Sequence, residues 1–306
     1  MAKHFLTGAE LTPAELAAIL DRAAELKAAR ASGSPAADTL AGKTIALIFE
    51  RPSTRTRMSA EIAVHELGGH AMVLLGDTMQ LSRGESLRDT ALVMERFVHA
   101  IGIRTGPHAT VAALAEHSGV PVFNLLTEGH HPCQALADLL TIRERFGDLA
   151  GRRLAYVGDG NNVTASLMVL GAMAGLTVSV ATPDGYAPAT AAVELAAAHA
   201  TAGGAIELTI DPEVAAAEAD AVYTDVWVSM GDRDSGRRKA DLAGYQLDEQ
   251  LLGVAKSGAI ALHCLPAHVG EEISDGALYG EHSAIFDQAE NRLHVQKALL
   301  EHLLAG

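Results

Sequence analysis

The sequence contains few aromatic residues, few cysteines and too little positive charge to balance its acidic residues. Phe, Trp and Tyr make up only 4% of the 306 residues, so the hydrophobic cores must be built from Ala, Val, Leu and Ile. Only Cys133 and Cys264 could form a disulfide. A large charged chain of this composition is expected to keep its thiols free in a reducing compartment.

The charge balance argues against several kinds of partner. With 38 acidic and 23 basic side chains the formal net charge is −15, which disfavours nucleic acid or an anionic membrane as the main partner. No hydrophobic run is long enough for an export signal or a membrane span. We therefore expect a soluble cytoplasmic protein that would need a local arginine cluster to bind an anionic small molecule.

Strand-like and helix-like hydrophobic patterns alternate along the whole chain. Such alternation predicts an α/β protein with two doubly wound parallel-sheet domains. We expect residues 1–146 to form the first domain and 147–288 the second. The polar segment 225–245 is expected to be a functional loop. Strands are predicted at 43–49, 70–75, 99–103, 121–126, 153–157, 176–181, 206–210, 221–224 and 259–262, and a last helix at about 289–304.

The stretch Arg51–Arg57, Arg-Pro-Ser-Thr-Arg-Thr-Arg, lies between a predicted strand and a predicted helix. The hydroxyl groups of Ser53, Thr54 and Thr56, the free N–H groups of the helix and the guanidinium group of Arg55 could converge on a phosphate. The same residues could instead form a simple helix N-cap followed by solvated arginines. This stretch is the candidate phosphate site.

Other polar residues stand at the ends of predicted strands or the beginnings of predicted helices. Open parallel sheets bind their ligands at the carboxyl edge of the strands. Each residue taken alone could also be a solvated surface charge, a packed thiol or a buried histidine with its hydrogen bonds satisfied. These candidates are Arg104, His131, Gln134, Asn161, Asn162, Asp225, Cys264 and Arg292.

Two further kinds of site fit the sequence less well. Gly158-Asp159-Gly160 resembles the start of a dinucleotide-binding fingerprint, but Val163 stands where its third glycine belongs. A zinc site would have to draw on His130, His131, Cys133, His263 and Cys264, whose spacing fits no familiar ligand pattern. We expect no metal and no organic cofactor.

Seven short segments together resemble the aspartate/ornithine carbamoyltransferase family. Ser-Thr-Arg-Thr-Arg is shared by carbamoyltransferases in general, whereas Ser-Met-Gly with His-Cys-Leu-Pro marks the ornithine branch. The seven are Ser-Thr-Arg-Thr-Arg at 53–57, Arg-Thr at 104–105, His-Pro-Cys-Gln-Ala-Leu-Ala-Asp at 131–138, Gly-Asp-Gly-Asn-Asn at 158–162, Asp-x-x-x-Ser-Met-Gly at 225–231, His-Cys-Leu-Pro at 263–266 and Ala-Glu-Asn-Arg at 289–292.

This resemblance implies transfer of a carbamoyl group from carbamoyl phosphate to the side-chain amine of L-ornithine, giving L-citrulline and phosphate, in the cleft between the two domains. It implies catalytic roles for Arg104, His131, Asp225 and Cys264. Ornithine would be held by Asn162, Asp225, Ser229 and Met230. Carbamoyl phosphate would be held by Ser53, Thr54, Arg55, Thr56, Gln80, Arg104, His131, Pro132, Cys133, Gln134, Cys264, Leu265 and Arg292.

The resemblance also implies a homotrimer, or a higher multiple of it, in which Gln80 acts in the active site of a neighbouring subunit. The helix 289–306 is expected to pack back on the first domain. Two departures from the family pattern are Val269, where many relatives have Arg, and the Arg/Lys-rich segment 231–240. Val269 is expected to affect packing, whereas the segment 231–240 leaves the choice of amine open, so a sister transferase acting on putrescine or an acylated ornithine is an alternative. A non-catalytic paralogue that binds carbamoyl phosphate is a further alternative.

Overall fold

The computed structural model describes residues 3–34, 38–201, 203–228 and 235–305. The chain divides into two compact units, of which the first comprises Met1–Leu140 and Glu290–Gly306 and the second Thr141–Ala289. This division falls inside the helix at 132–146 rather than at its end. The first unit is therefore built from both ends of the chain.

A parallel sheet of four strands forms the centre of the first unit, in the order β2-β1-β3-β4. Residues 45–49 of β1 are all buried, as expected for a central parallel strand. The elements are β1 (Thr44–Phe49), β2 (His70–Leu75), β3 (Ala100–Arg104), β4 (Val122–Leu126), α1 (Pro13–Ala31), α2 (Thr54–Glu66), α3 (Leu87–Met94), α4 (His108–His117) and α5 (Pro132–Phe146).

Local sequence explains two details of the first unit. Helix α1 begins with a capping box, in which Thr12 and Glu15 satisfy each other's backbone N–H groups, followed by Pro13 at its first position. Gly102 in β3 leaves room for the ring of Phe123, since a Cβ atom at that position would lie 2.5 Å from the ring. The neighbouring strand β4 can therefore pack its aromatic side chain directly on β3.

The second unit contains a parallel sheet of five strands in the order β7-β6-β5-β8-β9. Residues 163–173 of α6 are all buried, as expected for a helix that is hydrophobic on every side. The elements are β5 (Arg153–Val157), β6 (Thr177–Ala181), β7 (Ala205–Thr209), β8 (Ala221–Thr224), β9 (Ile260–His263), α6 (Asn162–Met173), α7 (Thr190–His199), α8 (Pro212–Ala216), α9 (Ser235–Leu242), α10 (Glu249–Val254) and α11 (Asp275–Tyr279). The last helix, α12 (Ile285–Leu304), begins in this unit and ends in the first.

These two sheets confirm the predicted α/β class with parallel strands. The prediction of a loop at 225–245 is wrong in its second half, which forms α9 and a 3₁₀ helix at Ala243–Tyr245. The predicted start of the last helix is also too late, so Arg292 lies inside α12 rather than at its first turn. Among the described residues, no helix is both long and apolar enough to cross a membrane.

Candidate active site

The Arg51–Arg57 stretch connects β1 to α2 at the carboxyl edge of the first sheet. Ser53 occupies the N-cap position of α2, yet its side chain makes no capping hydrogen bond. The reading of these residues as a simple N-cap is therefore not supported. The positive end of the helix dipole and the hydroxyl of Ser53 lie together at this edge, an arrangement that suits an anion.

Arg292 is brought to this stretch by helix α12. It is 3% exposed, and its Nη2 donates a hydrogen bond to Oγ1 of Thr56, which is 1% exposed. Lys297, farther along α12, pairs with Glu66 at the end of α2. Residues from the N-terminal and C-terminal parts of the chain thus meet at the candidate phosphate site.

Arg292 and Arg104 both lie close enough to His131 for their charges to act on its imidazole. Arg104 ends β3, whose register pairs it with Phe49, two residues before the Arg51–Arg57 stretch begins. Burial holds the pKa of His131 well below its usual value, and the positive charges of Arg292 and Arg104 lower it further. The imidazole is therefore neutral at physiological pH and can serve as a hydrogen-bonding group without adding a third positive charge.

Gln134 lies in the first turn of α5 and is fully buried. Its Nε2 donates to Oδ1 of Asp138 at 2.8 Å. Its Oε1 has no hydrogen-bond partner among the described residues, and a buried acceptor without a partner costs about 1–3 kcal/mol. An amide N–H on a ligand would satisfy it.

Pro132 and Cys133 begin α5 and are both buried. The thiol of Cys133 donates to the backbone oxygen of Asn124 at 3.4 Å, and burial raises its pKa to about 12. This cysteine is a packing residue whose side chain points at β4. Any contact of Cys133 with a ligand would have to use its backbone.

Gln80 stands apart from these residues. It begins the 3₁₀ helix Gln80–Arg83, which follows the edge strand β2, and its side chain is exposed. It makes no side-chain hydrogen bond to any described residue.

Asp225 and Cys264 meet at the carboxyl edge of the second sheet. Strands β8 and β9 are neighbours in register, with Thr224 paired to His263, so the residues that follow them leave the sheet side by side. The thiol of Cys264 donates to Oδ1 of Asp225 at 3.0 Å. The carboxylate is 5% exposed.

Asn161 holds the other oxygen of Asp225, a role that the sequence did not reveal. Its Nδ2 donates to Oδ2 of Asp225 at 2.8 Å, while its Oδ1 accepts the N–H groups of Val163 and Thr164 as the N-cap of α6. Asn162, the predicted ligand residue, is half-buried at the first position of α6. Ser229 and Met230 lie outside the described residues.

Arg238 is a residue that sequence reasoning did not single out. It lies on α9, forms an ion pair with Asp159, and donates from Nε to the backbone oxygen of Trp227 at 2.9 Å. Its guanidinium carbon lies 5.0 Å from the centre of the Tyr186 ring. One basic residue of the Arg/Lys-rich segment thus ties together the loops that carry Asn161 and Asp225.

The glycines of the incomplete dinucleotide fingerprint have a packing explanation. A Cβ atom on Gly160 would lie 2.3 Å from the backbone nitrogen of Pro188. The N–H of Gly160 also donates to the backbone oxygen of Tyr186 at 2.8 Å. The close approach of this loop therefore requires glycine without any nucleotide.

Asp225, His263 and Cys264 offer potential metal ligands within 4.8 Å of one another. Both ring nitrogens of His263 are already engaged, Nδ1 with the N–H of Leu265 at 2.8 Å and Nε2 with Glu272 at 3.2 Å. A metal ion would have to displace one of these buried hydrogen bonds. The expected absence of a metal stays a prediction.

The chain matches known proteins over nearly its full length. Residues 3–144 match the family described as aspartate/ornithine carbamoyltransferase, carbamoyl-P binding domain, and residues 150–303 match its Asp/Orn binding domain. An ornithine carbamoyltransferase of Acidothermus cellulolyticus is 54% identical, over 99% of this chain and 97% of the relative.

Two solved structures show the same fold. Ornithine carbamoyltransferase from Pyrococcus furiosus has a TM-score of 0.96 and 44% identity, covering 100% of this chain and 98% of that one. Anabolic ornithine carbamoyltransferase from Campylobacter jejuni has a TM-score of 0.90 and 39% identity, covering 98% of each chain.

Proposed function

The chain belongs to the aspartate/ornithine carbamoyltransferase family, and we propose that it transfers the carbamoyl group of carbamoyl phosphate to the side-chain amine of L-ornithine, giving L-citrulline and phosphate. The single observation that carries the proposal is the Asp225–Cys264 pair, held at the carboxyl edge of the second sheet. A carboxylate that is hydrogen-bonded to a thiol can bind an ammonium group that must lose a proton before it reacts. A protein that only binds carbamoyl phosphate has no use for such a pair.

The phosphate group of carbamoyl phosphate is assigned to the first unit. Ser53, Thr54, Arg55 and Thr56 hold the phosphate at the N-terminus of α2, and Arg292 reaches the same place through its hydrogen bond to Thr56. As the bond to the carbamoyl carbon breaks, negative charge on the departing phosphate increases. Guanidinium and N–H donors that are already in place stabilise that charge without further reorganisation.

The carbamoyl end uses the residues around His131. Attack by the amine places negative charge on the carbamoyl oxygen, which Arg104, Thr56 and the neutral His131 stabilise. The carbamoyl NH₂ group donates to Oε1 of Gln134, which is buried without a partner among the described residues. The predicted ligand contacts of Pro132 and Cys133, and of the backbone of Cys264 and Leu265, stay predictions.

The side-chain amine of ornithine is assigned to the second unit. Asp225 holds the ornithine ammonium group, and Cys264 takes part in removing its proton before attack. Asn161 keeps the carboxylate oriented through a hydrogen bond of 2.8 Å. Contacts of Asn162, Ser229 and Met230 with the amino-acid end of ornithine also stay predictions.

Self-association as a homotrimer is supported by the surface of the first unit. Strand β2 is an edge strand, and Gln80 begins the second of the two short 3₁₀ helices that follow it. The first unit also has large hydrophobic side chains exposed to solvent, which contacts between subunits would cover. They are Met58 (57% exposed), Met72 (39%), Leu75 (43%), Leu92 (40%), Val93 (51%) and Phe97 (74%). Light scattering after gel filtration would show the trimer or a higher multiple, and a monomer would contradict the shared site.

A ureido-product assay tests the reaction itself. Carbamoyl phosphate is offered with ornithine, putrescine, N-acetylornithine and aspartate in turn, at equal concentrations. We expect the highest kcat/KM for ornithine. Product from putrescine or N-acetylornithine alone would assign the chain to a sister activity, and no product from any amine would support a binding protein.

The physiological direction is proposed as citrulline synthesis for arginine production. The Campylobacter jejuni relative is named as an anabolic enzyme, and this chain is similar to it along its length. The cytoplasmic location expected from the sequence stays a prediction.

A further inference from the structure

The turn that carries Cys264 has an unusual backbone. Leu265 has a φ of 60°, in the left-handed region, which is unfavourable for a residue with a side chain. Such a conformation persists only when surrounding contacts hold it. The turn determines where the Cys264 thiol lies relative to Asp225.

The contact that holds the turn comes from His263. The N–H of Leu265 donates to Nδ1 of His263 at 2.8 Å. A backbone N–H can only donate, so Nδ1 must be the unprotonated nitrogen of the ring. The ring proton is therefore on Nε2.

Glu272 completes the arrangement. Its Oε1 lies 3.2 Å from Nε2 of His263, which donates to it, and also accepts the N–H of His268 at 2.6 Å. Both residues are buried, Glu272 completely. Burial works to raise the pKa of Glu272, but the hydrogen bonds from His263 and His268 hold it below its usual value. Glu272 is thus a buried carboxylate that fixes the ring and tautomer of His263.

We propose that Glu272 and His263 are positioning residues for the Cys264–Leu265 turn. Glu272 orients the imidazole, the imidazole anchors the Leu265 N–H, and the turn so held directs the Cys264 thiol at Asp225. This inference rests on the proposed function, because the thiol–carboxylate pair is assigned to handling the acceptor amine. Glu272 and His263 act through the turn and are not placed on the substrate.

Two substitutions of His263 separate its two contacts. In His263→Asn the side-chain oxygen can take the place of Nδ1 and accept the Leu265 N–H, while the contact to Glu272 is lost. In His263→Gln the amide NH₂ can take the place of Nε2 and donate to Glu272, while the Leu265 N–H loses its acceptor. Glu272→Gln is a milder third variant that keeps an acceptor oxygen.

Asp220→Asn is the matched control. Asp220 is also a buried carboxylate of the second unit, 3% exposed, and accepts from Arg152, Lys256 and the backbone of Arg153. It lies at the opposite, amino-terminal edge of β8. Its replacement removes buried charge-assisted hydrogen bonds without touching the turn, so it reports the effect of lost stability alone.

Three measurements are made on each folded variant. They are kcat with ornithine at saturating substrates, inhibition by inorganic phosphate, and the rate at which iodoacetamide alkylates Cys264 in the free protein. The half-buried Cys264 is the reactive thiol, because Cys133 is completely buried with a pKa of about 12. A thiol released from a neighbouring carboxylate ionises more readily and should react faster.

We expect His263→Gln to lower kcat by about 30- to 100-fold, since a small misplacement of a reacting group costs that much. Its Cys264 should react at least about threefold faster, and phosphate inhibition should be unchanged. His263→Asn should lose much less activity, and Glu272→Gln should show the His263→Gln pattern in weaker form.

Equal kcat and alkylation rates in His263→Gln and Asp220→Asn would overturn the positioning role, as would equal losses in the Asn and Gln variants of His263. If the wild-type protein makes no citrulline, the proposed reaction fails instead. The alkylation comparison is independent of turnover and still decides whether His263 controls the turn.

Discussion

An Asp225→Asn substitution should remove most of the activity with ornithine and leave the use of carbamoyl phosphate nearly intact. The change deletes one negative charge and almost no volume. Asn161 and the thiol of Cys264 are the hydrogen-bonding neighbours of the carboxylate, and both are uncharged donors. No described cationic side chain forms an ion pair with Asp225, so the substrate ammonium group would be its charge partner.

The size of the effect follows from burial. Asp225 is 5% exposed, and losing one member of a largely desolvated charge pair costs about 2–4 kcal/mol. That corresponds to a fall in kcat/KM for ornithine of about 30- to 1000-fold. The KM for carbamoyl phosphate should change by less than about threefold, because the phosphate groups belong to the first unit.

The pH profile of the wild-type protein gives a second test of how the site handles the amine. Free ornithine carries an amine with a pKa of about 10.4, so only about one molecule in a thousand is neutral at pH 7.4. The kcat/KM should therefore rise about tenfold per pH unit through neutrality. Ionisation of His131 should not affect the profile in this pH range, because burial and the charges of Arg292 and Arg104 keep its pKa well below 6.5.

The assay measures citrulline between pH 6 and 10, with ornithine varied at saturating carbamoyl phosphate and then the reverse. Asp220→Asn, the same chemical change elsewhere in the unit, is the control and should stay near wild-type activity. Activity of Asp225→Asn within about threefold of wild type, or a loss confined to the KM for carbamoyl phosphate, would refute the assignment. If kcat/KM for ornithine did not change between pH 6 and 9, the proposal that the site takes up and deprotonates the ornithine ammonium group would be refuted.

Arg55→Ala should weaken carbamoyl phosphate binding and lower turnover by roughly 10² or more. The control Arg57→Ala breaks a surface ion pair with Glu61 and should have neither effect. Equal losses in the two variants would contradict the assignment of Arg55 to the phosphate site. Mixing Gln80→Ala chains with Arg55→Ala chains should restore activity in hybrid trimers, and no recovery in hybrids verified by mass would remove the shared site. The pKa of His130 is lowered to about 4 by burial and by His108, so the unfolded chain binds the extra proton and stability should fall as the pH drops from 6.5 towards 4. The loss should reach about 3 kcal/mol, and urea unfolding of wild type and His130→Asn that showed the same pH dependence would contradict it.

The convergence of Asp225 and Cys264 could be anticipated from sequence, since parallel strands end at a common edge and both residues follow buried strands. The same reasoning placed Arg104 beside the Arg51–Arg57 stretch. Asn161 was a candidate from sequence, but its pairing with Asp225 could not be foreseen, because that pairing depends on which way the amide points. Its oxygen caps α6, and that choice alone directs its nitrogen at the acid.

Other features are tertiary in origin and leave little trace in local sequence. Helix α9 is rich in charge, and Leu242 is its only buried residue among those described. Its contact through Arg238 with Asp159 joins positions far apart in the chain. Glu272 and His263 likewise pair across a turn that no periodicity reveals.

The construction of the first unit from both ends of the chain has a consequence for synthesis on the ribosome. The Arg51–Arg57 stretch emerges early, but Arg292 follows roughly 150 residues after Leu140, a delay of roughly 8–30 s at about 5–20 residues per second. Until then the nascent chain has Thr56 and Glu66 without their partners on α12. The anion site is therefore among the last parts of the protein to be completed during translation, and a chain truncated before α12 should be a substrate for chaperones rather than a carbamoyl phosphate binder.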